Sequence, residues 1–406
     1  MFTTDQLKNK SRLLKRLVIF LITLCVIAPY IATEKPWYVN YNHQHLFPAF
    51  SFNKQITIDN VVLSYEETDW KRLDADQIIF APIPWSAGKS DFENSDYLSP
   101  FGNQLFLNNS DELVKLPLRL RHWMGTDKRG ADILSGLLNG ARVSLFVAIL
   151  SMLIATIIGV LLGAIAGYAG DRLIKLKMGL MIVFIPGLVL AVFYAGKLSI
   201  SSYGLLLQLM QYISIIAVVL SAFYFIGLMV SRISFFSKKI YLPIDSIVSR
   251  LIEWNVALPR LILILTLASI SGTSLINLAL IIGFTGWTDI ARLTRAEFLR
   301  IRELDFVQAA KVLGFSHQRI IVRHILPNAI SPILTSVLFG VSSAILAEAG
   351  LSFLGIGVPQ NIVTWGNMLA SGKENFMAWW LVVFPGSSLF FTVLLFNSIG
   401  EKIRNQ

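Results

Sequence analysis

The chain has 406 residues, of which 54% are hydrophobic and 15% are charged, and its formal net charge is +10. Soluble domains have about 45–50% apolar and about 25% charged residues, so this composition excludes a soluble enzyme and indicates a helical membrane protein. The single cysteine, Cys25, excludes a disulfide framework within the chain and a cysteine-based metal site.

Apolar runs close to the ~20 residues needed to cross a bilayer recur along the chain. We predict eight membrane-spanning helices, at residues 17–33, 142–167, 178–196, 205–230, 251–270, 274–292, 329–348 and 379–399. The first run follows a basic segment, but bulky residues flank its end. This favours an uncleaved helix over a signal peptide. The predicted fold class is therefore an all-α polytopic membrane protein.

Basic residues are concentrated in alternate connections between these helices. The basic-rich connections are 1–16, 168–177 (which includes Arg172), 231–250 and 292–323. The opposite loops, in which the basic residues are Lys197 and Lys373, are 197–204, 271–273 and 349–378. The positive-inside rule places the basic-rich connections in the cytoplasm, which predicts a multi-pass protein of the cytoplasmic membrane with both termini inside.

A long region separates the first two predicted helices and lies outside in this topology. It is net negative and contains short alternating patches such as "QITIDNVVLSY" at 55–65. Such alternation is typical of strands, so we expect a small extracytoplasmic α+β or β region. It leads into an amphipathic segment, 125–142, with Thr126 or Asp127 as a candidate helix cap.

A basic, helix-prone segment, "FVQAAKVLGFSHQRIIVRHILPNA", runs from Phe306 to Ala329 between two apolar stretches. Two small residues, Ala309 and Ala310, allow close approach of another helix, and Gly314 suits a helix end or bend. We expect Leu326 and Pro327 to close a second short helix and to restart the chain into the next span.

This spacing resembles the "EAA" loop of ABC importer permeases. Other blocks resemble the dipeptide, oligopeptide and nickel branch, the DppC/OppC type. They are "GTDKRGADILSGLLNGARVSL", "AILAEAGLSFLGIGVPQNIVTWGNMLASG" and "FPGSSLFFTVLLFNSIGEKIR". Together with 251–328 they cover about two thirds of the chain, in the order that the family has. The resemblance implies a type I ABC importer permease fold (MetI-like).

The resemblance also implies partners and residue roles. The partners are a homologous DppB/OppB-type permease, two ATP-binding subunits that carry ATP and Mg²⁺, and an extracytoplasmic solute-binding protein, with no nucleic acid. No cofactor is expected in this chain. The ATPase-coupling loop, within 296–328, would act through Gln308, Ala309, Ala310, Gly314, His324, Leu326 and Pro327.

Two departures from the family pattern stand out. Gln308 replaces the usual glutamate and lacks its charge, whereas His324 matches the "RHILPN" text of the peptide branch and has no second metal ligand nearby. An extra pair of helices is inserted within 171–243. The resulting divisions are 1–33 (tail and first helix), 34–124 (extracytoplasmic), 125–170 (lead-in and second helix), 171–243 (inserted pair) and 244–406 (rest of the permease core).

Ionisable residues inside membrane spans are candidates for function. Glu253 and Arg260 are seven residues apart, which would place them on one helix face as a polar wall of the translocation path. The alternative is placement near helix ends, where Arg260 extends to the surface. For Asp289 and Glu348 we favour helix-end placement.

The remaining motifs indicate neither ATP binding nor catalysis by this chain. The segment "SAGKS" at 86–90 is not a phosphate-binding loop, because the first glycine would fall at Ile83. We see no catalytic constellation, which disfavours a membrane-embedded enzyme, and an exporter would lack a coupling loop of this spacing. We expect import of di- or oligopeptides, with nickel chelates or a modified peptide as alternatives.

Overall fold

The computed structural model describes residues 4–41, 43–51, 55–58, 61–65, 68–73, 75–107, 112–171, 173, 175–196, 205–359 and 361–404. Arg172 and the predicted external loop 197–204 lie outside these ranges. The described chain is mostly helical, with short strands between the first two long helices and at the foot of one helix pair. The predicted helical membrane fold with a small β region is confirmed.

Helices cover each of the predicted apolar runs, but among the described residues fewer than the predicted eight qualify as membrane spans. In chain order the α-helices are α1 (Thr4–Ile31), α2 (Ile133–Ala169), α3 (Met178–Gly196), α4 (Leu205–Val230), α5 (Ile244–Ala257), α6 (Arg260–Ser271), α7 (Leu275–Ile301), α8 (Asp305–Val312), α9 (His317–Ile320), α10 (Leu326–Phe353), α11 (Trp365–Ser371) and α12 (Trp380–Arg404). A π-helical turn, Ile321–Ile325, joins α9 to α10.

Within the described residues, 4 helices are long and apolar enough to cross a membrane, or 5 if one bent pair counts as a span. That pair is α5 and α6, which meet at 84°. The prediction of one continuous helix over 251–270 is therefore wrong. Pro259 cannot donate a backbone hydrogen bond, and it forces Leu258 into an extended conformation.

The core is built on the close packing of α2 against α7. Gly159, Gly163 and Gly167 recur every fourth residue of α2 and face the backbone of α7. A Cβ atom at Gly163 would lie 2.5 Å from the carbonyl oxygen of Ala291. Small residues at this spacing let two membrane helices approach closely. α10 and α12 pack on the same core.

The region between α1 and α2 forms small antiparallel sheets. Its strands are β1 (Tyr38–Tyr41), β2 (Gln44–Leu46), β3 (Gln55–Ile58), β4 (Val61–Ser64), β5 (Gln77–Ile79), β6 (Leu105–Leu107) and β7 (Leu113–Lys115). They pair in the order β2-β1-β5 and as the hairpins β3-β4 and β6-β7. The alternating patch at 55–65 is thus the β3-β4 hairpin, with Ile56 opposite Leu63.

A buried histidine joins this region to α2. His122 is fully buried, with Nδ1 at 2.8 Å from Asp132 Oδ1 and Nε2 at 3.1 Å from Asp91 Oδ2. Asp132 also caps α2 by accepting from the backbone N–H of Ser135 (2.7 Å). The prediction of Thr126 or Asp127 as the cap is wrong, because the helix begins only at Ile133.

Alkaline pH is expected to loosen this junction. Burial lowers the pKa of His122, but its hydrogen bonds to Asp132 and Asp91 outweigh burial, so its pKa is raised. The stabilisation is complete below the ordinary histidine pKa and is lost as the pH rises through the raised pKa. His122→Gln should cost about 3 kcal/mol at pH 6, the scale for breaking a buried charge pair.

Thermal unfolding of wild type and His122→Gln between pH 6 and 9 measures this. The difference in unfolding temperature between the two proteins should shrink as the pH rises. A difference that stays constant would contradict the assignment. Burial lowers the pKa of the neighbouring Lys71 to about 8. This lysine therefore loses its proton at a lower pH in the folded protein than in the unfolded chain, so its contribution to stability rises with pH, opposite to that of His122. The comparison with His122→Gln separates the two groups.

The helices α3 and α4, the pair within 171–243, form a hairpin. Gly187 of α3 lies against the ring of Phe223, so that a Cβ atom there would be 2.5 Å from the ring, and Gly179 lies against Ser231. Within the described residues the principal contacts of this pair are with each other and with the short strands at its foot. The outward side chains are apolar and exposed, as for Ile185 and Val189.

Candidate functional site

The segment after α7 turns sharply at a glycine. α8 ends at Val312, and Gly314 has φ of 75°. The N–H of Phe315 donates to the carbonyl of Ala310 (3.1 Å), and that of Gly314 donates to the carbonyl of Lys311 (3.0 Å). These two bonds define a Schellman motif, in which glycine is favoured because its backbone enters the left-handed region at no steric cost.

The two alanines of the motif point in different directions. Ala310 is buried together with Val307, on the side of α8 that packs on the protein. Ala309 is exposed. We expected both alanines to admit an approaching helix, but the structure gives them different surroundings. Ala310 packs inside this chain, and Ala309 is accessible from outside.

Both ends of the segment are tied to the end of α2. Gln308 Nε2 donates to the carbonyl of Arg302 (2.9 Å), and Arg302 Nη1 donates to the carbonyl of Gly167 (3.0 Å). Tyr168 and His317 share a hydrogen bond of 2.7 Å. A carboxylate in place of Gln308 has no N–H to donate, so this anchoring suits the amide.

His324 packs against an aromatic ring. It is stacked on Phe315, with ring centroids 5.9 Å apart, and the Arg319 guanidinium carbon lies 4.2 Å from the centroid of Phe315. The described residues contain no group of three or more His, Cys, Asp or Glu side chains that could hold a metal ion. In the structure, His324 helps to fix α9 over the turn that follows α8.

The sequence predicts that a short helix closes at Leu326 and Pro327 and that a new one begins there. The structure shows no such break. The helix is continuous from His317 to Phe353, with the π-helical turn Ile321–Ile325 just before Pro327. A widened turn accommodates a proline ring that would clash with the fourth preceding carbonyl. α9 is thereby continuous with α10 in one helix that is long and apolar enough to cross a membrane.

The outer side of this segment carries exposed apolar residues among its polar ones. Val312 is 88% exposed and Leu313 is 71% exposed, and they follow each other just before Gly314. Val322, on the next turn of helix, is 60% exposed. Exposed apolar residues grouped in this way on a polar background are typical of protein contact sites.

Glu253 and Arg260 do not share a helix face, because the break at Pro259 separates them. Glu253 is exposed on α5 and pairs with Arg250 at 2.7 Å. Arg260 is the first residue of α6 and points toward α7, where a Cβ atom at Gly286 would lie 2.8 Å from its Nη2 atom. The Nε atom of Arg260 is buried without a hydrogen-bond partner among the described residues.

Arg260 lines a cavity of about 420 Å³ between the helices of the core. Its other polar lining residues are Asp289, Thr335, Ser336, Ser343 and Arg404. Gly286 lies near the middle of α7, which at 1.5 Å per residue is roughly 40 Å long. The half-buried guanidinium therefore lies against the middle of α7, beside a cavity lined partly by hydroxyl groups.

Glu348 is fully buried in the last two turns of α10, near the helix end as expected. Its Oε1 atom accepts a hydrogen bond from Ser352 Oγ at 2.7 Å. α10 continues to Phe353, and α11 packs over this end so closely that a Cβ atom at Gly366 would lie 2.5 Å from the carbonyl oxygen of Ala349. By contrast, Asp289 is exposed and pairs with Arg292 at 2.9 Å.

Comparison with known proteins places this architecture in a family. A family model described as "binding-protein-dependent transport system inner membrane component" matches residues 233–404, which begin just after α4. A putative peptide permease protein of Brucella suis biovar 1 (strain 1330) is 30% identical over 290 residues, covering 70% of this chain and 72% of the relative. The chain belongs to this family of binding-protein-dependent permeases.

Two further relatives extend the comparison. The dipeptide transport system permease protein DppC of Bacillus subtilis (strain 168) is 28% identical over 292 residues, covering 71% of this chain and 69% of the relative. The inner membrane ABC transporter permease protein YejE of Escherichia coli (strain K12) is 28% identical over 393 residues, covering 96% of this chain and 89% of the relative.

A binding-protein-dependent permease is a transport subunit and not an enzyme. This chain is therefore the membrane-spanning permease subunit of an ABC importer and a component of the inner membrane. Its family implies ATPase subunits and an extracytoplasmic solute-binding protein as partners.

Sequence reasoning missed two features of this permease. The contact of Arg260 with Gly286 could not be predicted because the two residues are far apart in the chain. In the sequence, Val312 and Leu313 look like ordinary buried positions of an apolar helix face, so their exposure was not predicted. The small and polar run around Gly286, "GFTGWTD", was the available signal for a cavity wall.

Proposed function

We propose that this permease moves di- or oligopeptides across the cytoplasmic membrane by ATP-driven alternating access. It works beside a homologous DppB/OppB-type permease, with two ATP-binding subunits that bind ATP and Mg²⁺, and it receives peptide from a binding protein. The names of the relatives, which include a peptide permease and a dipeptide permease, support the substrate class.

The observation that carries this proposal is the segment from α8 to α10. Its exposed apolar residues Val312 and Leu313 form the surface that an ATPase subunit covers. Gly314 sets the angle between α8 and α9, and Ala309 faces the partner. Because α9 runs unbroken into α10, displacement of the segment by a closing ATPase pair tilts a helix that lines the membrane cavity.

The translocation path in this proposal passes Arg260 and the hydroxyl-lined cavity beside it. A half-buried guanidinium whose Nε–H has no partner among the described residues suits a carboxylate, such as the C-terminus of a peptide. Glu253, on α5, lies in a neighbouring cavity with Arg292 and Arg295 and contributes at the cytoplasmic side. In the proposed topology both termini are cytoplasmic, and residues 34–124 are extracytoplasmic.

The test is uptake by the reconstituted complex. Proteoliposomes that contain this chain with its partner permease, ATPases and binding protein should accumulate labelled di- and oligopeptides only when ATP is present on the ATPase side. Binding protein loaded with peptide should stimulate ATP hydrolysis. Stimulation by a nickel chelate without any by peptides would contradict the peptide assignment while leaving the importer mechanism intact.

A further inference from the structure

The foot of the inserted hairpin is a two-stranded ribbon. β8 (Lys175–Lys177) precedes α3, β9 (Lys239–Tyr241) follows α4, and the two strands are antiparallel. Lys175 is opposite Tyr241, and Lys177 is opposite Lys239. Because side chains alternate along a strand, these four residues share one face of the ribbon.

This face is strongly cationic, and nothing in the described part of the chain neutralises it. Lys175, Lys177 and Lys239 are exposed and lie beyond salt-bridge distance of any described carboxylate. The two nearest acidic residues along the chain are already engaged. Asp171 accepts two hydrogen bonds from Ser246, and Asp245 is paired with Arg295.

The pairing of Lys177 with Lys239 is unfavourable by itself. Directly opposite residues on an antiparallel ladder have Cβ atoms about 5 Å apart, and like charges in such a pair are destabilising. An anion between the two ammonium groups would remove this repulsion. Lys175 rests over the ring of Tyr241, 4.7 Å from its centroid, which holds a third ammonium on the same face.

The position of the ribbon indicates where the anion comes from. β8 leads directly into α3 at Met178, and β9 follows α4 by way of the exposed aromatic residue Phe235. α3 and α4 expose apolar side chains outward, as membrane helices do. Lysines and aromatic residues at the end of such helices lie at the level of lipid headgroups.

We propose that this ribbon is a binding site for an anionic phospholipid, whose headgroup phosphate lies between Lys177 and Lys239. Anionic headgroups attract juxtamembrane lysines, with each lysine contributing separately. The lipid would fix the foot of the hairpin, which packs mainly on itself, at the membrane surface. This inference does not depend on which substrate the permease carries.

Native mass spectrometry of the purified complex tests the site, with phosphatidylglycerol and phosphatidylcholine as probes. Wild type should bind phosphatidylglycerol in preference to phosphatidylcholine. The double variant Lys177→Gln/Lys239→Gln should bind phosphatidylglycerol about 10- to 30-fold more weakly. The matched control Lys115→Gln/Arg119→Gln, which removes two exposed charges from the extracytoplasmic region, should bind as wild type does.

Equal binding of phosphatidylglycerol by wild type and Lys177→Gln/Lys239→Gln would overturn the proposal. So would displacement of the lipid by millimolar inorganic phosphate, which would identify a site for free phosphate. Lys177→Glu keeps the ribbon intact, because an opposite-charge pair with Lys239 is stabilising. Phosphatidylglycerol should raise the unfolding temperature of wild type and leave that of Lys177→Glu unchanged. An equal rise in both would also refute the site.

Discussion

Replacing Gly314 by valine is expected to abolish substrate uptake while ATP hydrolysis continues without the binding protein's control. Gly314 has φ of 75°, where a β-branched residue is a genuine outlier. A Cβ atom there meets nothing within 4 Å, so the strain is entirely in the backbone. Leaving the left-handed region breaks the bond from Phe315 to Ala310 and reorients the exposed Val312 and Leu313.

The strain itself costs only about 1–2 kcal/mol, so the chain should still fold and insert. The measurement is uptake per ATP hydrolysed in proteoliposomes, with binding-protein affinity recorded in parallel. Gly314→Asn should retain most coupling, since asparagine tolerates the left-handed region. Gly386→Ala is the matched control, because that glycine is helical and also has open space around it. Normal uptake per ATP in Gly314→Val would refute the coupling assignment.

Replacing Arg260 by glutamine is expected to reduce transport of peptides that have a free C-terminal carboxylate by about 10- to 100-fold. This corresponds to the loss of a charged hydrogen bond, about 1.5–3 kcal/mol. Peptides with an amidated C-terminus have no carboxylate, so the variant should carry them as wild type does. Uptake of the two peptide forms in competition measures the difference.

The structure offers a second variant and a control for this prediction. Gly286→Ala places a methyl group 2.8 Å from Nη2 of Arg260, which displaces the guanidinium while its charge is kept. We expect a weaker effect in the same direction. Arg300 is exposed and pairs with Glu297. Arg300→Gln should leave the ratio of uptake between acid and amide peptides unchanged. An equal loss for acid and amide peptides in Arg260→Gln would argue against carboxylate recognition.

Proline shows why some local features of the fold could not be predicted. Pro186, Pro332 and Pro385 lie inside helices, whereas Pro259 ends one. Membrane helices tolerate proline when neighbouring groups satisfy the freed carbonyl, so the residue type does not decide between a kink and a break. At α5 the outcome depends on contacts that are distant in sequence. The ion pair of Asp245 with Arg295 holds that helix across α7.

The sequence by itself determined the helical membrane class, the short helical segment that follows α7 and the turn at Gly314. Each depends on the length of an apolar run, the distribution of charge or the conformation of one residue, all of which act locally. Only the tertiary structure decided that Glu348 is buried, that Arg260 faces Gly286 and that His122 joins two carboxylates. Those outcomes depend on which distant segments pack together, and packing of helices against one another is not encoded in the periodicity of any one of them.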